Sequence, residues 1–160
     1  MKRLLLRSRP EIKEGQPRLL VPFAGGELDE TVLDAAIRIA RAEGAVLVPA
    51  YLLVAPLEFP PDAPLHDQVE QAMPLLEAVE LRALKEGVPV DARIEWGRTP
   101  IHALQRLWNI ESFDRILVPA PTPHQRGFST KELSWMLTRA PSEILVLRPN
   151  PSDGDRPDQD

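Results

Sequence analysis

Cysteine is absent from this chain of 160 residues, which excludes disulfides and metal sites built on thiolates. The three histidines are far apart and show no ligand spacing, so no zinc site is expected. The catalytic signatures GxSxG, HExxH and GxxxxGK[ST] are also missing. Four acids near the predicted strand ends have no partner base or metal motif: Asp29, Glu30, Asp62 and Asp67. We therefore expect a protein that is not an enzyme and holds no metal.

The basic N-terminus, MKRLLLRSR, has an apolar part of only three residues, Leu4–Leu6. This is too short for the core of a signal peptide or for a membrane span, so we expect a cytoplasmic protein with no membrane partner. The formal net charge of −5 argues against a nucleic-acid partner. The basic arm itself has two interpretations. It contacts an anionic partner, or it is an extension that is solvated or pairs with a sheet edge.

Composition and length indicate one globular domain, with 43% hydrophobic and 27% charged residues. Residues 1–17 end in the breaker-rich EGQP and are predicted to be an extension. The domain is predicted over 18–149. The segment 150–160 is acidic, lacks apolar residues and is predicted to be disordered.

Strands and helices alternate along the predicted domain. Continuous apolar runs predict buried strands at 18–23, 45–54, 115–120 and 143–148, and the alternating VPVDARIEW predicts a half-exposed strand near an edge. That last pattern places Val90, Ala92, Ile94 and Trp96 on the buried side. The order predicts an α/β fold with a single open, five-stranded parallel sheet and helices on both faces, which is Rossmann-like.

The helices between these strands follow apolar stripes. They are predicted at 30–44, at 66–86, after the N-cap Thr99 with Pro100, and at KELSWMLTRA. Pro74 predicts a kink in the second helix or a helix start just before it. In the last helix, Leu133, Met136 and Leu137 form the predicted stripe, and Trp135 lies off it.

Ligands in such sheets bind beyond the carboxyl ends of the strands, which directs attention to the loop in 116-ILVPAPTPHQRGFSTKEL-133. Three prolines (119, 121 and 123) and a single glycine, Gly127, make it a poor cradle of backbone amides. Ser129-x-x-Glu132 is the pattern of a capping box. The alternative is an anion site made of Ser129, Thr130 and Lys131, helped by Arg126 and His124.

Two further loops at the same edge contribute candidate residues. Gly25 and Gly26 follow the first strand, where they form a tight turn or let a ligand approach the backbone. Arg98, in WGRTP, either reaches an anion or is an exposed residue before the helix cap. His102, one residue further into that helix than Ile101, is expected at the surface.

Several pieces of the chain, taken in order, resemble the universal stress protein family. They are RLLVPFAGGELDETVLDAAIRIARAEGAVLVPAYLLV, GVPVDARIEWGRTPIHAL, FDRILVPA and RAPSEILVLRP. The resemblance implies an architecture similar to the adenine nucleotide alpha hydrolases and a non-catalytic role, regulatory or protective, in the stress response. It also implies a homodimer through the last strand, with Ile144, Leu145, Val146 and Leu147, and leaves room for an unidentified protein partner.

Members of the family that bind ATP resemble one another in a loop G-x2-G-x9-G-[S/T] and in an aspartate after the first strand. Here Ala24 stands at the aspartate position, Pro119 at the first glycine and Thr122 near the second. The closing Gly-Ser/Thr pair falls on Thr130-Lys131. The resemblance therefore implies a degenerate ATP-binding motif and no expected cofactor. The alternative is ATP or AMP bound by an altered cleft of Ala24, Gly25, Gly26, Arg98, Arg126, Gly127, Ser129, Thr130 and Lys131.

Overall fold

Five strands and four helices alternate in the computed structural model, which describes residues 10–25, 28–58, 60, 65–121 and 127–148. The strands are β1 (Arg18–Phe23), β2 (Val46–Val54), β3 (Arg93–Gly97), β4 (Arg115–Pro119) and β5 (Glu143–Leu147). The helices are α1 (Glu30–Glu43), α2 (His66–Lys85), α3 (Pro100–Ile110) and α4 (Thr130–Arg139). The predicted disordered tail, 150–160, lies outside the described residues.

The five strands form one parallel sheet in the order β3-β2-β1-β4-β5. The chain winds outward from β1 to one edge and then returns to β4, so the strand order reverses between β1 and β4. β3 and β5 are the two edges, which confirms the predicted edge position of β3. The predicted α/β fold with an open parallel sheet is confirmed.

Helices cover both faces of the sheet, each over its own apolar core. α1 and α2 pack on the face that carries Leu19, Leu47 and Leu117. α3 and α4 pack on the face that carries Leu20 and Ile116. Because the strands are covered on both sides, their residues alternate between two cores rather than between core and water, and the sequence is continuously apolar.

The helix boundaries follow local chemistry. The Asp29 carboxylate caps α1, and Gly44 ends it at φ 63°, in the left-handed region that favours glycine. The Thr99 hydroxyl caps α3 by accepting a bond from the His102 amide (3.1 Å), with Pro100 in the first turn, as predicted. No helix in the described part of the chain is both long and apolar enough to cross a membrane.

α2 runs through its proline. It begins at His66 and contains Pro74 in its interior, so the predicted start just before Pro74 is wrong. Pro74 is exposed, which keeps its ring on the solvent side of the helix. The helix continues because its apolar positions, including Ala72 and Leu76, are buried on either side of the proline.

β3 is shorter than the sequence alternation predicts. The predicted strand spans 88–96, whereas β3 is Arg93–Gly97, preceded by an isolated bridge between Leu47 and Val90. Three of the four residues predicted on the buried side pack against the α2 face. Trp96, the fourth, is 38% exposed. It stands at the end of an edge strand, where the Arg106 guanidinium covers its ring at 5.8 Å.

Pro49, in the neighbouring strand, accounts for this break. Successive residues of a parallel strand direct their backbone groups to opposite neighbours. Leu47 donates to the carbonyl of Pro89 and accepts from the amide of Asp91, each at 2.9 Å, so Leu47 faces the edge strand. Pro49, two residues on, faces the same way but has no N–H. The ladder therefore lapses after Asp91 and resumes at Arg93.

The alternation also predicts Asp91 and Arg93 on the exposed side of this strand. Both are instead half-buried members of an ion-pair network with Arg18 and Glu111. The Glu111 carboxylate forms ion pairs with Nη2 of Arg18 at 2.8 Å and with Nη2 of Arg93 at 2.7 Å. The network ties β1, β3 and the end of α3 together near the amino ends of the strands, away from the predicted ligand edge.

α4 is rotated relative to its predicted stripe. Met136 is buried and Leu133 half-buried, as expected, but Leu137 is 58% exposed, so its predicted core position is wrong. Trp135, predicted to lie off the stripe, is half-buried and stacks on Trp108 of α3 with ring centroids 5.6 Å apart. Because this aromatic pair fills the space between the two helices, Leu137 is turned outward.

Candidate functional site

β1 and β4 are neighbours in the centre of the sheet, yet they pair over only a short distance. β1 pairs with β2 along its whole length, but with β4 only through Leu19 and Leu20. Both strands continue beyond this point, to Phe23 and Pro119. The hydrogen-bonded ladder therefore ends before the carboxyl ends of the two strands, at the place where the strand order reverses, which is where open α/β sheets bind ligands.

Two prolines explain why the ladder between β1 and β4 ends early. The carbonyl of Arg18 accepts a bond from the chain leading into β4 (3.0 Å), so alternate residues from Arg18 on, including Pro22, face β4. The amide of Ala120 donates to β5 (2.7 Å), so Pro119 before it faces β1. Neither proline has an N–H. The ladder thus loses its next two donors, one from each strand.

The loop after β1 supplies one wall of this cleft. Ala24 is half-buried and packs against the core cluster that includes Phe128, so an apolar methyl stands at the predicted aspartate position. Gly25 has φ 79°, a conformation that suits glycine and makes a turn. Gly26 lies outside the described residues. Asp29, at the end of the loop, accepts bonds from the Thr31 and Val32 amides at 2.8 and 3.1 Å.

The start of α4 supplies the opposite wall, and its hydrogen bonds are internal. The Ser129 hydroxyl accepts from the Glu132 amide at 3.1 Å, and the Glu132 carboxylate accepts from the Ser129 amide at 2.9 Å. This is the capping box that the sequence predicts. Phe128 before the cap and Leu133 in the next turn pack in the same core cluster, the arrangement of a hydrophobic staple.

The remaining candidates of this loop face solvent. Thr130 and Lys131, the first two residues of α4, are exposed, as is Gly127. A Cβ at Gly127 would contact nothing within 4 Å, and its φ is not positive, so neither space nor conformation requires glycine there. Arg126 and His124 lie outside the described residues.

Arg98 is half-buried, so its predicted exposed position before the helix cap is wrong, while its contact with an anion stays a prediction. Its guanidinium is half-buried and donates from Nη1 to the carbonyl of Pro56 at 2.5 Å, with the carbonyl of Ala55 at 3.5 Å. Arg98 therefore fastens the loop that follows β2. β2 and β1 both lie between β3, which precedes Arg98, and the position between β1 and β4, so Arg98 lies at the same end of the sheet but is not brought to the candidate site.

The structure thus brings together two of the three predicted groups. Ala24 and Gly25 lie beyond the end of β1, and Gly127 through Lys131 lie at the start of α4, which follows β4, the neighbour of β1. Reasoning from sequence missed that Pro22 and Pro119 shorten the hydrogen-bonded ladder between β1 and β4. The available signal was a proline in each of two adjacent central strands, which is rare because such strands bond on both sides.

No group of three or more His, Asp or Glu side chains in the described part of the chain could hold a metal ion. A groove of about 530 Å³ lies between α1 and the C-terminal part of α2. Two of its cations, Arg41 and Arg82, are paired with Glu86 and Asp34 across the groove.

Comparisons with known proteins agree on the fold. No protein-family model matches the sequence, and no curated protein matches it. Solved structures do match. A universal stress family protein from Burkholderia pseudomallei is similar at 20% identity and a TM-score of 0.62, covering 85% of this chain and 98% of that one.

Two similar structures contain nucleotides. A universal stress family protein from Arabidopsis thaliana with AMP bound matches at 17% identity and a TM-score of 0.58, covering 89% of this chain and 97% of that one. The universal stress protein from Archaeoglobus fulgidus in complex with dAMP matches at 13% identity and a TM-score of 0.59, covering 82% and 96%. The chain therefore has the fold of the universal stress proteins.

Proposed function

We propose that this chain is a member of the universal stress protein family and a non-catalytic homodimer that does not bind ATP in the usual way. Its role is regulatory or protective in the stress response, exercised through protein partners. The shared fold over most of the chain supports the family assignment, together with the ordered sequence pieces that resemble the family.

The capping box at Ser129 is the observation that carries the proposal against ordinary ATP binding. A phosphate at a helix start is held by backbone N–H groups that have no partner within the helix. At α4 the Ser129 hydroxyl and the Glu132 carboxylate each engage one of these amides. An anion there would displace the Glu132 carboxylate and meet its charge.

The other wall of the cleft supports the same conclusion. Ala24 offers a methyl group where family members that bind ATP are expected to present a carboxylate to the nucleoside. Pro119 stands where the first glycine of the phosphate loop is expected, and it has no N–H to donate. The chemistry that remains at the cleft is therefore poorer in hydrogen-bond donors than a phosphate loop requires.

The alternative function is a nucleotide- or phosphate-binding sensor with an altered loop. The reversal of strand order between β1 and β4 favours it, since such a switch point is the usual ligand position. The AMP and dAMP of the similar structures also favour it. In this alternative the exposed Lys131 and Arg126 bind the phosphate through their positive charge, in place of the backbone amides that a glycine-rich loop would supply.

Native mass spectrometry on the purified protein, first alone and then with ATP or AMP, separates the two functions. A dimer that gains no mass supports the proposed homodimer that does not bind ATP in the usual way. One adenylate per subunit supports the sensor and contradicts our proposal. Incubation followed by analysis of the nucleotide tests the non-catalytic part, since turnover of ATP would overturn it.

Charge reversal tests which residues would be responsible. If a nucleotide binds, Lys131→Glu combined with Arg126→Glu should weaken it at least 10-fold, because each phosphate contact of this kind contributes more than about 1 kcal/mol. Lys85→Glu, on α2 beside the groove between α1 and α2, is the matched control and should leave binding unchanged. If the protein binds no nucleotide, as we propose, all these variants keep their fold and their dimer.

A further inference from the structure

A second concave surface lies at the opposite end of the sheet from the candidate cleft. This pocket of about 370 Å³ is formed where residues 10–12 pass α2 and the chain leading into β3. Seven described residues line it, five of them apolar and two of them acids: Pro10, Glu11, Ile12, Glu80, Leu84, Val88 and Val90. The described part of the lining therefore combines an apolar floor with negative charge.

Hydrogen bonds hold the segment before β1 in position beside this pocket. The carbonyl of Pro17 accepts from the Val46 amide at 2.7 Å, and the Gln16 side-chain amide donates to the carbonyl of Gly44 at 2.8 Å. The Gln16 side chain also accepts from the Lys13 amide at 3.1 Å. The chain is thereby directed across the amino ends of the strands toward α2.

Apolar surface remains open at this place. Ile12, which lines the pocket, is 47% exposed, and Leu81, one turn before Leu84 on α2, is 36% exposed. Exposed large apolar side chains that cluster around a pocket mark a place where another apolar group is buried.

The part of the chain that precedes the pocket has complementary chemistry. Residues 1–9 contain three consecutive leucines, four basic residues and no acid. Leu6 is four residues before Pro10, which itself lines the pocket, so an extended chain places it within about 13 Å of that residue. Both the apolar and the charged parts of the segment thus match the pocket, and they are already tethered to it.

We propose that Leu4–Leu6 of the same chain occupy this pocket, with the flanking basic side chains placed around Glu11 and Glu80. The N-terminal segment then acts as a strap over the α2–β3 edge of the domain. In this proposal the basic arm is an extension of the domain rather than a contact for an anionic partner. The pocket is at the amino ends of the strands, so the proposal is independent of whether the cleft at the carboxyl ends binds a nucleotide.

Cysteine cross-linking in the full-length protein tests the strap directly, because the chain has no cysteine of its own. The variant Leu5→Cys/Leu84→Cys is treated with a short bismaleimide and analysed by intact mass and denaturing gel. We expect most of the protein to carry one cross-link within a single chain. Leu5→Cys/Leu57→Cys is the matched control, since Leu57 is 88% exposed in the loop after β2 at the far end of the sheet; it should give no such product.

Two outcomes would overturn the proposal. A cross-link that joins two chains would assign the pocket to a second copy of the protein, and a yield no greater than that of the Leu57 control would leave the strap without support. Thermal unfolding gives a second measurement. Replacing Leu4, Leu5 and Leu6 with serine should lower Tm by about 4–8 °C, whereas Leu57→Ser should change it by no more than about 1 °C. Equal small shifts in both variants would also contradict the strap.

Discussion

At the scale of single residues, local helix chemistry accounts for the start of α4. Ser129 and Glu132 satisfy each other's backbone amides, and Phe128 anchors the turn in the core. The two hydrogen bonds are local, so the pattern S-x-x-E was enough to predict them, whereas the packing of Phe128 was not predicted. Arg98 was not predictable in this way, because its partners are carbonyls more than 40 residues away, in a loop whose path depends on the whole fold.

We expect Ser129→Ala to destabilise the protein by about 1 kcal/mol, because the Glu132 amide loses its acceptor at the helix start. In a domain of this size the change corresponds to a fall in Tm of about 2–4 °C, measured by calorimetry. Ser129→Asp should restore most of the loss, since its carboxylate can also cap. Ser134→Ala, at an exposed position inside the same helix, is the control and should not lower Tm. A Ser129→Ala variant as stable as the wild type would contradict the capping role.

At the scale of secondary structure, prolines in the strands decided what periodicity could not. The alternation of VPVDARIEW predicted the location of β3 and its edge position. Its length depended on Pro49 in the adjacent strand, which is distant in sequence. Likewise the length of β1 and β4 was predictable from their apolar runs, but not the place where they separate. Pairing is a property of two strands, so the bounds of a ladder require knowledge of the neighbour.

Pro49→Val should extend the pairing between β2 and β3. The new amide at position 49 faces the carbonyl of Asp91, and valine suits a strand covered on both faces. Hydrogen exchange followed by NMR should show this amide protected at least about 10-fold over a solvated amide, as expected for a ladder bond worth about 1.4 kcal/mol or more against local opening. The Leu47 amide, already bonded to Pro89, serves as the internal reference. An unprotected amide at 49 would show that the gap in β3 has another cause.

At the scale of the whole molecule, the two sheet edges differ. β3 is bordered by the cation over Trp96, whereas β5 presents Val146 at 42% exposure, and Leu137 of α4 is also exposed. Exposed apolar edge strands are normally covered. Since the Leu147 carbonyl bonds to the chain leaving β4, the backbone of Val146 is directed outward. The proposed dimer through Ile144, Leu145, Val146 and Leu147 would cover this edge.

Val146→Lys should weaken such a dimer at least about 10-fold, because the substitution places like charges on both copies across the pairing edge. Sedimentation over a dilution series would measure the change. Val54→Lys is a matched control: Val54 has a similar exposure, 39%, but ends the interior strand β2. Equal association of both variants and the wild type would exclude β5 as the interface.

The alternation of strands and helices was sufficient to predict the fold class, since helices between continuously apolar strands require a parallel sheet covered on both faces. The order of the strands was not predicted, because the same alternation fits several windings about β1. The candidate cleft follows from that order. The loop after β1 and the start of α4 could be named from sequence, but their proximity followed only from the finding that β1 and β4 are neighbours in the sheet.

Pro22 and Pro119 have a further consequence for spectroscopy. Neither residue carries an amide proton, so spectra that detect amide groups have no probe at these two positions in the strands that lead to the candidate site. A small molecule entering there would be registered by carbonyl and proline ring carbons of these residues, and a carbon-detected titration is the appropriate way to look for it.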